Sequence, residues 1–532
     1  MHWNPEFNAA TRFVDRHILE GRAGNTAIEC RDERVSYQQL SDRTNRVGNV
    51  LRRLGVESGA RVVLLLPDTP EFLYCFFGAI KIGAVAIPLN TLLKPLEYEF
   101  LLNDAQAKVA LVGDFLLPLL EVTPRERFKY LREIVVVGNS NQHYLRLGDA
   151  MAESSSELQP APMSKEAPAF WLYSSGSTGP PKACIHAHQD MLVCSERYAK
   201  GILNISDRDR CYSVARLFFA YGLGNAGYFP LYAGGTTILS QGQPTPAGIY
   251  ANIERYRPTL FFSVPSNYAA LLAHRREDGR EFDLSSVRLA ISAGEPLPEV
   301  IFERFKQRFG IQILDGLGST ETLQTVISNR PGEVRPGSTG KVVPGYEAKI
   351  VDENGRSVEV GVVGTLMIKG DSICSGYWNG QGKTEGEFAD HWFRTGDRYY
   401  QDQDGYFWNA GRTVDTFKVN GRWLNPFEVE GALIAHPSVD QAAVVPREDE
   451  VGLTKAAAYV VLAPNVRPSD QLVRELKDLV AQRVGNYKRP KWIEFVSELP
   501  KTATGKVQRF KLRELQVHHD SNGPADHQKP TS

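Results

Sequence analysis

Tyr173-Ser174-Ser175-Gly176-Ser177-Thr178-Gly179-Pro180-Pro181-Lys182 is the stretch from which the fold can be read. Gly176 and Gly179 let the backbone bend, and the hydroxyls of Ser174, Ser175, Ser177 and Thr178 can donate to phosphate oxygens. Lys182 closes the segment with a positive charge, so the stretch holds what a loop needs to wrap a polyphosphate. It is close to a Walker A loop without being one. Gly176 and Lys182 have that spacing, but Pro181 stands where the second glycine belongs and Ala183 replaces the magnesium-binding Ser or Thr. A Ser/Gly-rich run on its own is more often a surface linker. Here the apolar Ala169-Phe170-Trp171-Leu172-Tyr173 precedes it directly, so the segment is expected to turn out of a buried strand.

The flanking patterns extend the reading. Arg61-Val62-Val63-Leu64-Leu65-Leu66 and Ile134-Val135-Val136-Val137 are strand-like and alternate with helical patterns to about residue 330. Such alternation predicts α/β layers with largely parallel sheets. Ser36 suits a helix N-cap and Gln39 completes a capping-box spacing, so a helix is expected over 36–54. The most apolar stretch, Phe72 to Leu89, is interrupted by Gly78, Lys81 and Gly83, which predicts a buried helix running into a strand rather than a membrane span. From Lys341 to Lys369 the texture changes to Val, Gly and Pro, with a turn at Asp352-Glu353-Asn354-Gly355, and reads as a β meander. Beyond a boundary near Gly411, a helix opens at Phe427-Glu428-Val429-Glu430. Strands over 441–445 and 456–462 and an amphipathic helix over 471–484 follow, the pattern of a small α+β domain. From about His518 to Ser532 the composition is that of a disordered tail.

At 532 residues the chain is too long for one hydrophobic core, so two or more domains are expected. The formal net charge of −1 gives no general attraction to nucleic acid or to an anionic membrane, and neither is expected as a partner. Met1-His2-Trp3-Asn4-Pro5-Glu6-Phe7 carries neither a basic n-region nor an apolar h-region, so no secretory signal is read. The six cysteines contain no CxxC pair and sit mostly in apolar contexts, which suits buried free thiols in a cytoplasmic protein. His186-Ala187-His188 is not read as a metal pair, for want of a nearby carboxylate or cysteine ligand set.

The opening loop is followed, in order, by Ser292-Ala293-Gly294-Glu295-Pro296, Asp315-Gly316-Leu317-Gly318-Ser319-Thr320-Glu321 and Arg394-Thr395-Gly396-Asp397. Then come Gly411-Arg412 with Lys418-Val419-Asn420-Gly421, and Pro500-Lys501-Thr502-Ala503-Thr504-Gly505-Lys506. Together these segments resemble the motifs of the adenylate-forming superfamily, which includes acyl-CoA synthetases, luciferases and peptide-synthetase adenylation domains. The resemblance runs from near residue 35 to about residue 512. It implies an α/β fold in which residues 1–411 form a large N-terminal domain of layered α/β subdomains plus a β-barrel-like subdomain. Residues 412–517 then form a small mobile α+β C-terminal domain, followed by the tail 518–532.

Activating a carboxylate requires its oxygen to attack the α-phosphate of ATP, so donors and positive charge must offset the repulsion of two anions. By the resemblance, Ser174, Ser175, Gly176, Ser177, Thr178, Gly179 and Lys182 hold the β- and γ-phosphates. Thr320 contacts the α-phosphate, and Glu321 helps hold Mg2+, a hard cation suited to carboxylate and phosphate oxygens. Gly294, Glu295 and Pro296 with Asp315 and Gly316 form the adenine slot; Asp397, beside Arg412, accepts from the ribose hydroxyls. Lys506 lies over the acyl carboxylate and α-phosphate, where loss of such a contact costs on the order of 10²–10³ in rate. The small domain is implied to rotate between half-reactions, with Lys506 in place for adenylation and the segment from Lys418 to Gly421 lining the coenzyme A thiol channel for thioester formation. At the hinge, many relatives carry Asp or Lys two residues after the arginine. Val414 stands there in this chain, leaving Asp415, or a hinge without a charged residue, as the alternatives.

The acid is read from Leu217-Phe218-Phe219-Ala220-Tyr221-Gly222-Leu223-Gly224, where peptide-synthetase domains hold an α-ammonium with an aspartate. No acid is present, and an unpaired buried ammonium is costly, so α-amino acids are not expected. Gly222, Gly224 and Gly227 also match GxGxxG, but Ser240 to Ile253 contains no Asp or Glu for a ribose, and no dinucleotide site is read. Phe218 to Gly224, together with Gly318-Ser319-Thr320-Glu321, Gln324, Thr325 and Ser328-Asn329-Arg330-Pro331-Gly332, is most similar to the benzoate-CoA ligase branch. That likeness implies a small aromatic acid set against Phe219, Ala220 and Tyr221, in a flat slot bounded by Gly316, Leu317 and Gly318. Phe218, Phe219 and Tyr221 also fit as plain core aromatics. Where the branch usually has His and Ile, this chain has Gln324 and Thr325, which add hydrogen-bonding capacity facing the ring. Unpaired against plain benzoate they would cost roughly 1–3 kcal/mol, so an amino- or hydroxy-substituted benzoate such as anthranilate is the expected acid. The expected function is an ATP-dependent aryl-acid CoA ligase. A stand-alone aryl adenylating enzyme that loads a carrier protein is one alternative. A non-catalytic binding homologue is another, disfavoured by the intact Lys506, Glu321 and Asp397. A homodimer is left open.

Overall fold

Side chains along a strand alternate between its faces, and the strand Arg61–Leu65 shows what that builds here. Val62 and Leu64 enter one core while Val63 and Leu65 enter another. In the computed structural model, residues 7–139, 143–174, 181–380, 386–412, 415–419, 422–501 and 507–513 are described. Ser175 to Gly179, Val414, Gly421, Lys506 and the tail from 518 lie outside them.

Seven strands form the first sheet, in the order 145–146, 133–137, 109–113, 61–65, 85–88, 168–174, 182–187. Its neighbours are parallel except the last pair. The second sheet runs 341–342, 325–328, 313–318, 289–293, 260–263, 210–213, 236–239, 26–30, 33–36, parallel in the centre and antiparallel at both edges. The helices Tyr37–Arg53 and Pro70–Lys81 lie in a core shared by the two sheets, with Leu64 from one and Phe262 and Ile291 from the other. Phe261 and Ala290, one step along, face a separate core on the far side of the second sheet. Ser36 caps the first of these helices and Gln39 reaches back to the Ser36 N–H, the expected reciprocal box. The second helix leads into the strand Val85–Pro88, as the interrupted apolar run implied.

Two expectations are corrected. Lys341–Val342 pairs with Thr325–Ser328 at the edge of the nine-stranded sheet, so the meander starts only at Glu347–Val351, which pairs with Gly364–Lys369. The barrel-like piece is, among the described residues, an open antiparallel sheet of five strands, with Trp392–Gln401 pairing both Phe388–Ala389 and Phe407–Arg412. The long strand explains this. Its two ends take two different short partners, and beyond them the edge strand makes an isolated bridge from Phe407 to Gly340 rather than a closing strand pair.

The C-terminal part is a three-stranded sheet of Val439–Glu448, Thr454–Leu462 and Trp492–Phe495 with the helices Pro426–Ile434 and Asp470–Val484. Val444, Ala458 and Val460 face Leu476 and Val480 of the second helix, while Ala443, Ala457 and Tyr459 face Leu499 and Leu512.

Candidate active site

In a parallel sheet, ligands bind outside the carboxyl ends of the strands. The strands Leu260–Ser263, Leu289–Ala293 and Ile313–Gly318 run in parallel and end together there, with Ser292 opposite Asp315 and Ala293 opposite Gly316. The Ser/Gly loop instead joins two antiparallel strands, Pro168–Ser174 and Lys182–Ala187, with Ser174 opposite Lys182. No helix follows the loop directly, which accounts for the missing Walker residues. The hydroxyl of Tyr173 anchors the strand end by donating to Asp104 Oδ2 at 2.7 Å.

Lys182 forms an ion pair with Glu387, and its ammonium lies 4.6 Å from the Tyr377 ring centroid. Tyr377 places its hydroxyl within hydrogen-bond reach of both Glu387 Oε2 and Glu321 Oε1, the latter at 3.0 Å. Burial, then the two carboxylates, push the Tyr377 phenol well above its ordinary value, so it stays a donor. Thr320 and Glu321 are fixed through their backbones. His186 Nε2 meets the Thr320 carbonyl at 2.8 Å, and the Cys374 N–H donates to the Glu321 carbonyl at 2.8 Å. His186 Nδ1 pairs with Asp190 Oδ2 at 2.9 Å, inside the core, where burial raises the Asp190 carboxyl. A carboxylate therefore does stand beside the His186–His188 pair, contrary to the sequence reading. Both His186 nitrogens are nevertheless engaged by protein, and His188 Nδ1 accepts from the Ala9 N–H. Among the described residues no group of three or more His, Cys, Asp or Glu could hold a metal ion.

Asp315 is buried, which raises its carboxyl far above the usual range. Its Oδ2 accepts from the Leu297 N–H at 3.4 Å, and that N–H, the Gly316 N–H and the neighbouring Ser292 side chain partly offset the rise. Gly294 has φ +94°, a left-handed conformation that glycine adopts without cost, and Glu295 and Pro296 follow it into a cavity of about 770 Å³. Lys501 and Arg509 of the small domain line the same cavity. Asp397 is paired across the sheet with Arg412, whose Nε donates to Asp397 Oδ1 at 2.9 Å. Asp397 raises the Arg412 guanidinium, and Glu321 adds to that effect from nearby. Lys418 is not brought to this group: it is exposed and lies 5.0 Å from the Trp423 ring centroid.

The group expected to receive the acid departs from the expectation in its hydrogen bonding. Gln324 and Thr325 are buried, but their polarity is consumed internally. Gln324 Nε2 donates to the Tyr221 carbonyl at 3.1 Å and to Asn225 Oδ1 at 3.2 Å. Gln324 Oε1 accepts from the Thr325 N–H at 3.0 Å and its hydroxyl at 3.2 Å. The expected unpaired groups facing a ring are not there. The orphans are instead Asn225 Nδ2 and Ser263 Oγ, both buried. Asn225 Nδ2 faces the Tyr221 phenol outside regular hydrogen-bond geometry, and that phenol reaches the Ser263 and Ile291 carbonyls at 3.3 Å. Phe218 is a core aromatic, its ring 4.5 Å from that of the half-buried Phe219, while Ala220 is buried and Tyr221 half-buried. Gly316, Leu317 and Gly318 lie beside them, antiparallel to Thr325–Ser328. The GxGxxG match sits inside helical turns, Ala220–Leu223 and Gly224–Tyr228. Its glycines serve packing: a Cβ on Gly222 would stand 2.0 Å from the Arg216 carbonyl oxygen, and one on Gly224 2.2 Å from Gln324 Nε2.

Asn225, Ser263, Tyr377, Glu387 and the His186–Asp190 pair were not singled out from sequence. Glu387 is 205 positions from Lys182, and no local spacing signals such a partner. Asn225 alone had a signal: it lies four residues after Tyr221, on the same helical face.

This fold and site define an adenylate-forming enzyme. The AMP-binding enzyme model matches residues 15–378 and the AMP-binding enzyme C-terminal domain matches residues 428–506. The benzoate–CoA ligase of Thauera aromatica is 44% identical over 95% of this chain and 96% of its own. The 4-hydroxybenzoate–CoA/benzoate–CoA ligase of Rhodopseudomonas palustris is 40% identical, covering 96% and 94%. The crystal structure of the anthranilate CoA ligase AuaEII in complex with anthranoyl-AMP superposes with a TM-score of 0.94 at 40% identity, covering 98% of this chain and 99% of that one. The chain belongs to the AMP-binding enzyme family and, within it, to the aryl-CoA ligase branch. It is an ATP-dependent aryl-acid CoA ligase that takes an aromatic acid and coenzyme A.

Proposed function

We propose that the preferred acid is a benzoate carrying an amino or hydroxy group, anthranilate foremost. The observation that carries this is Asn225, whose side chain lies beside the Tyr221 phenol and whose Nδ2 lacks a regular hydrogen bond, with Ser263, whose carbonyl that phenol reaches at 3.3 Å and whose Oγ is also unpaired, next to it. Leaving a buried donor unpaired costs roughly 1–3 kcal/mol, a cost that a polar ring substituent removes and a bare ring does not. The likeness to an anthranilate CoA ligase supports the same choice.

In this reading Lys182, with Ser174 and the loop from Ser175 to Gly179, takes the β- and γ-phosphates, and Thr320 the α-phosphate. Glu321 helps hold Mg2+, which sites of this kind bind through one or two carboxylates plus phosphates rather than a full protein cage. When bound, the ion neutralises phosphate charge. The Asp315 carboxyl and Gly316, with Gly294 to Pro296, receive adenine, and Asp397 the ribose. Lys506 stabilises the charge that develops as the aryl carboxylate attacks and pyrophosphate leaves; the segment from Lys418 to Gly421 then admits the CoA thiol, which displaces AMP. The six free cysteines of the chain are buried, which suits a reducing, cytoplasmic setting.

The test is acid-dependent AMP release with CoA across benzoate, anthranilate and the three hydroxybenzoates. Anthranilate or a hydroxybenzoate is expected to have the highest kcat/KM; plain benzoate at the top of the ranking would reject the proposal.

A further inference from the structure

Lys182 is the cation proposed to take the nucleotide's phosphates, yet in the ligand-free fold it already has an anion. Glu387 pairs with its ammonium, with the two side chains 35% and 22% exposed respectively. Glu387 is itself held by the Tyr377 hydroxyl, which also contacts Glu321 Oε1 at 3.0 Å. One hydroxyl proton thus serves two carboxylates, and Lys182 is the cation beside them. Such an arrangement cannot survive polyphosphate binding unchanged. Phosphate oxygens on Lys182 would stand next to the Glu387 carboxylate, anion against anion, and the carboxylate must give up its place.

We propose that Glu387 is a built-in counter-anion of the clamp lysine: it holds Lys182 when no nucleotide is present and is exchanged for the phosphates when ATP binds. Glu387 is then a positioning residue that acts through Lys182. Its charge weakens ATP and pyrophosphate binding, and its return to Lys182 favours release of pyrophosphate after adenylation. Glu387 immediately precedes Phe388–Ala389, a short strand that pairs with Trp392 and Phe393 at the start of Trp392–Gln401. The side chain therefore sits directly before a short two-residue strand at the edge of that sheet.

The inference rests on the reading that Lys182 binds phosphate, and the experiment separates the two. Dissociation constants for MgATP and for magnesium pyrophosphate are measured by calorimetry without acid or CoA, alongside KM and kcat for ATP. Glu387→Gln and Glu387→Ala are each expected to tighten both ligands about three- to five-fold, the scale of a partly exposed ion pair, and to lower the KM for ATP. Glu387→Asp is expected to return towards the wild-type values. In a Lys182→Ala background the Glu387→Gln substitution is expected to have no effect. Unchanged or weaker binding in both Glu387→Gln and Glu387→Ala would overturn the proposal. Loss of affinity in Lys182→Ala with no gain in the Glu387 variants would leave the phosphate role of Lys182 standing and remove only Glu387. A Lys182→Ala enzyme that binds both ligands normally would remove both.

Discussion

Gln324 shows how a residue's polarity can be visible in the sequence while its partners are not. Its position in the chain marks it as a pocket residue, but its amide spans the Tyr221 carbonyl, Asn225 and Thr325, and all of that geometry is invisible in sequence. It braces the Tyr221–Asn225 turn, and in the proposed reading the polarity offered to the substrate falls to Asn225 and Ser263. The two roles separate experimentally. Gln324→Leu is expected to lower kcat/KM for benzoate and anthranilate alike, because it leaves the Asn225 and Thr325 groups without partners. Asn225→Leu is expected to cut the anthranilate-to-benzoate ratio of kcat/KM by about ten-fold, the scale of one lost buried hydrogen bond. The ratio from competition between the two acids is the readout, and an unchanged ratio in Asn225→Leu would assign the selectivity elsewhere. The same contrast holds at the proposed phosphate site. Thr320, Glu321 and Lys182 are legible because they sit inside motifs, whereas Tyr377 and Glu387 are brought to them only by chain segments that meet in space.

Elements were legible where their signals are local. The Ser36–Gln39 box and the amphipathic helix Asp470–Val484 are dictated within a few residues, and both form as expected. Strand partners are not local, which is why Lys341–Val342 was grouped with the meander when it closes the edge of the large sheet. One contact between elements carries a measurable consequence. The hairpin strand Lys182–Ala187 is followed by His188, whose Nδ1 accepts from the Ala9 N–H at 3.1 Å, tying it to the start of the chain's first helical turn. Burial pushes the His188 imidazole down from 6.5 to about 4, so it is neutral in the fold. An unfolded chain binds that proton near pH 6.5 and the folded one does not, so the stability it contributes is complete above that pH and falls as the solution is acidified towards pH 4. Between pH 7 and pH 5 the loss is about 2 kcal/mol. His17, lowered to about 4 by burial, adds a loss of the same sign, so the comparison must be made against a variant. His188→Asn is expected to flatten the difference in urea unfolding between the two pH values by about that amount. An equally steep variant would show that His188 is protonated in the fold.

At the scale of the whole molecule, the order of the motifs along the chain reveals that two parts must cooperate but not how they meet. In the structure, the small domain packs against the face of the large one that carries Glu295 and Pro296. Arg304 donates to the Ala435 carbonyl at 3.2 Å, and Lys501 shares a cavity with Glu295 and Pro296. Burial lowers the Lys501 ammonium, with Glu295 opposing that shift. Lys501 bridges to Val507, whereas Lys418, on a separate hairpin of the same domain, is exposed. In the proposed mechanism two functions fall to this one domain, adenylation to Lys506 and thioester formation to the segment from Lys418 to Gly421. Lys506→Ala is therefore expected to lower aryl-AMP formation from acid and ATP by on the order of 10²–10³-fold, the scale of one lost transition-state contact. Transfer from supplied aryl-AMP to CoA is expected to stay within a few-fold of wild type. Pyrophosphate release in single turnover reports the first step and thioester formation from synthetic aryl-AMP the second. Equal losses in both steps would mean that Lys506 supports the domain in every pose, and the division of labour within the domain would fall.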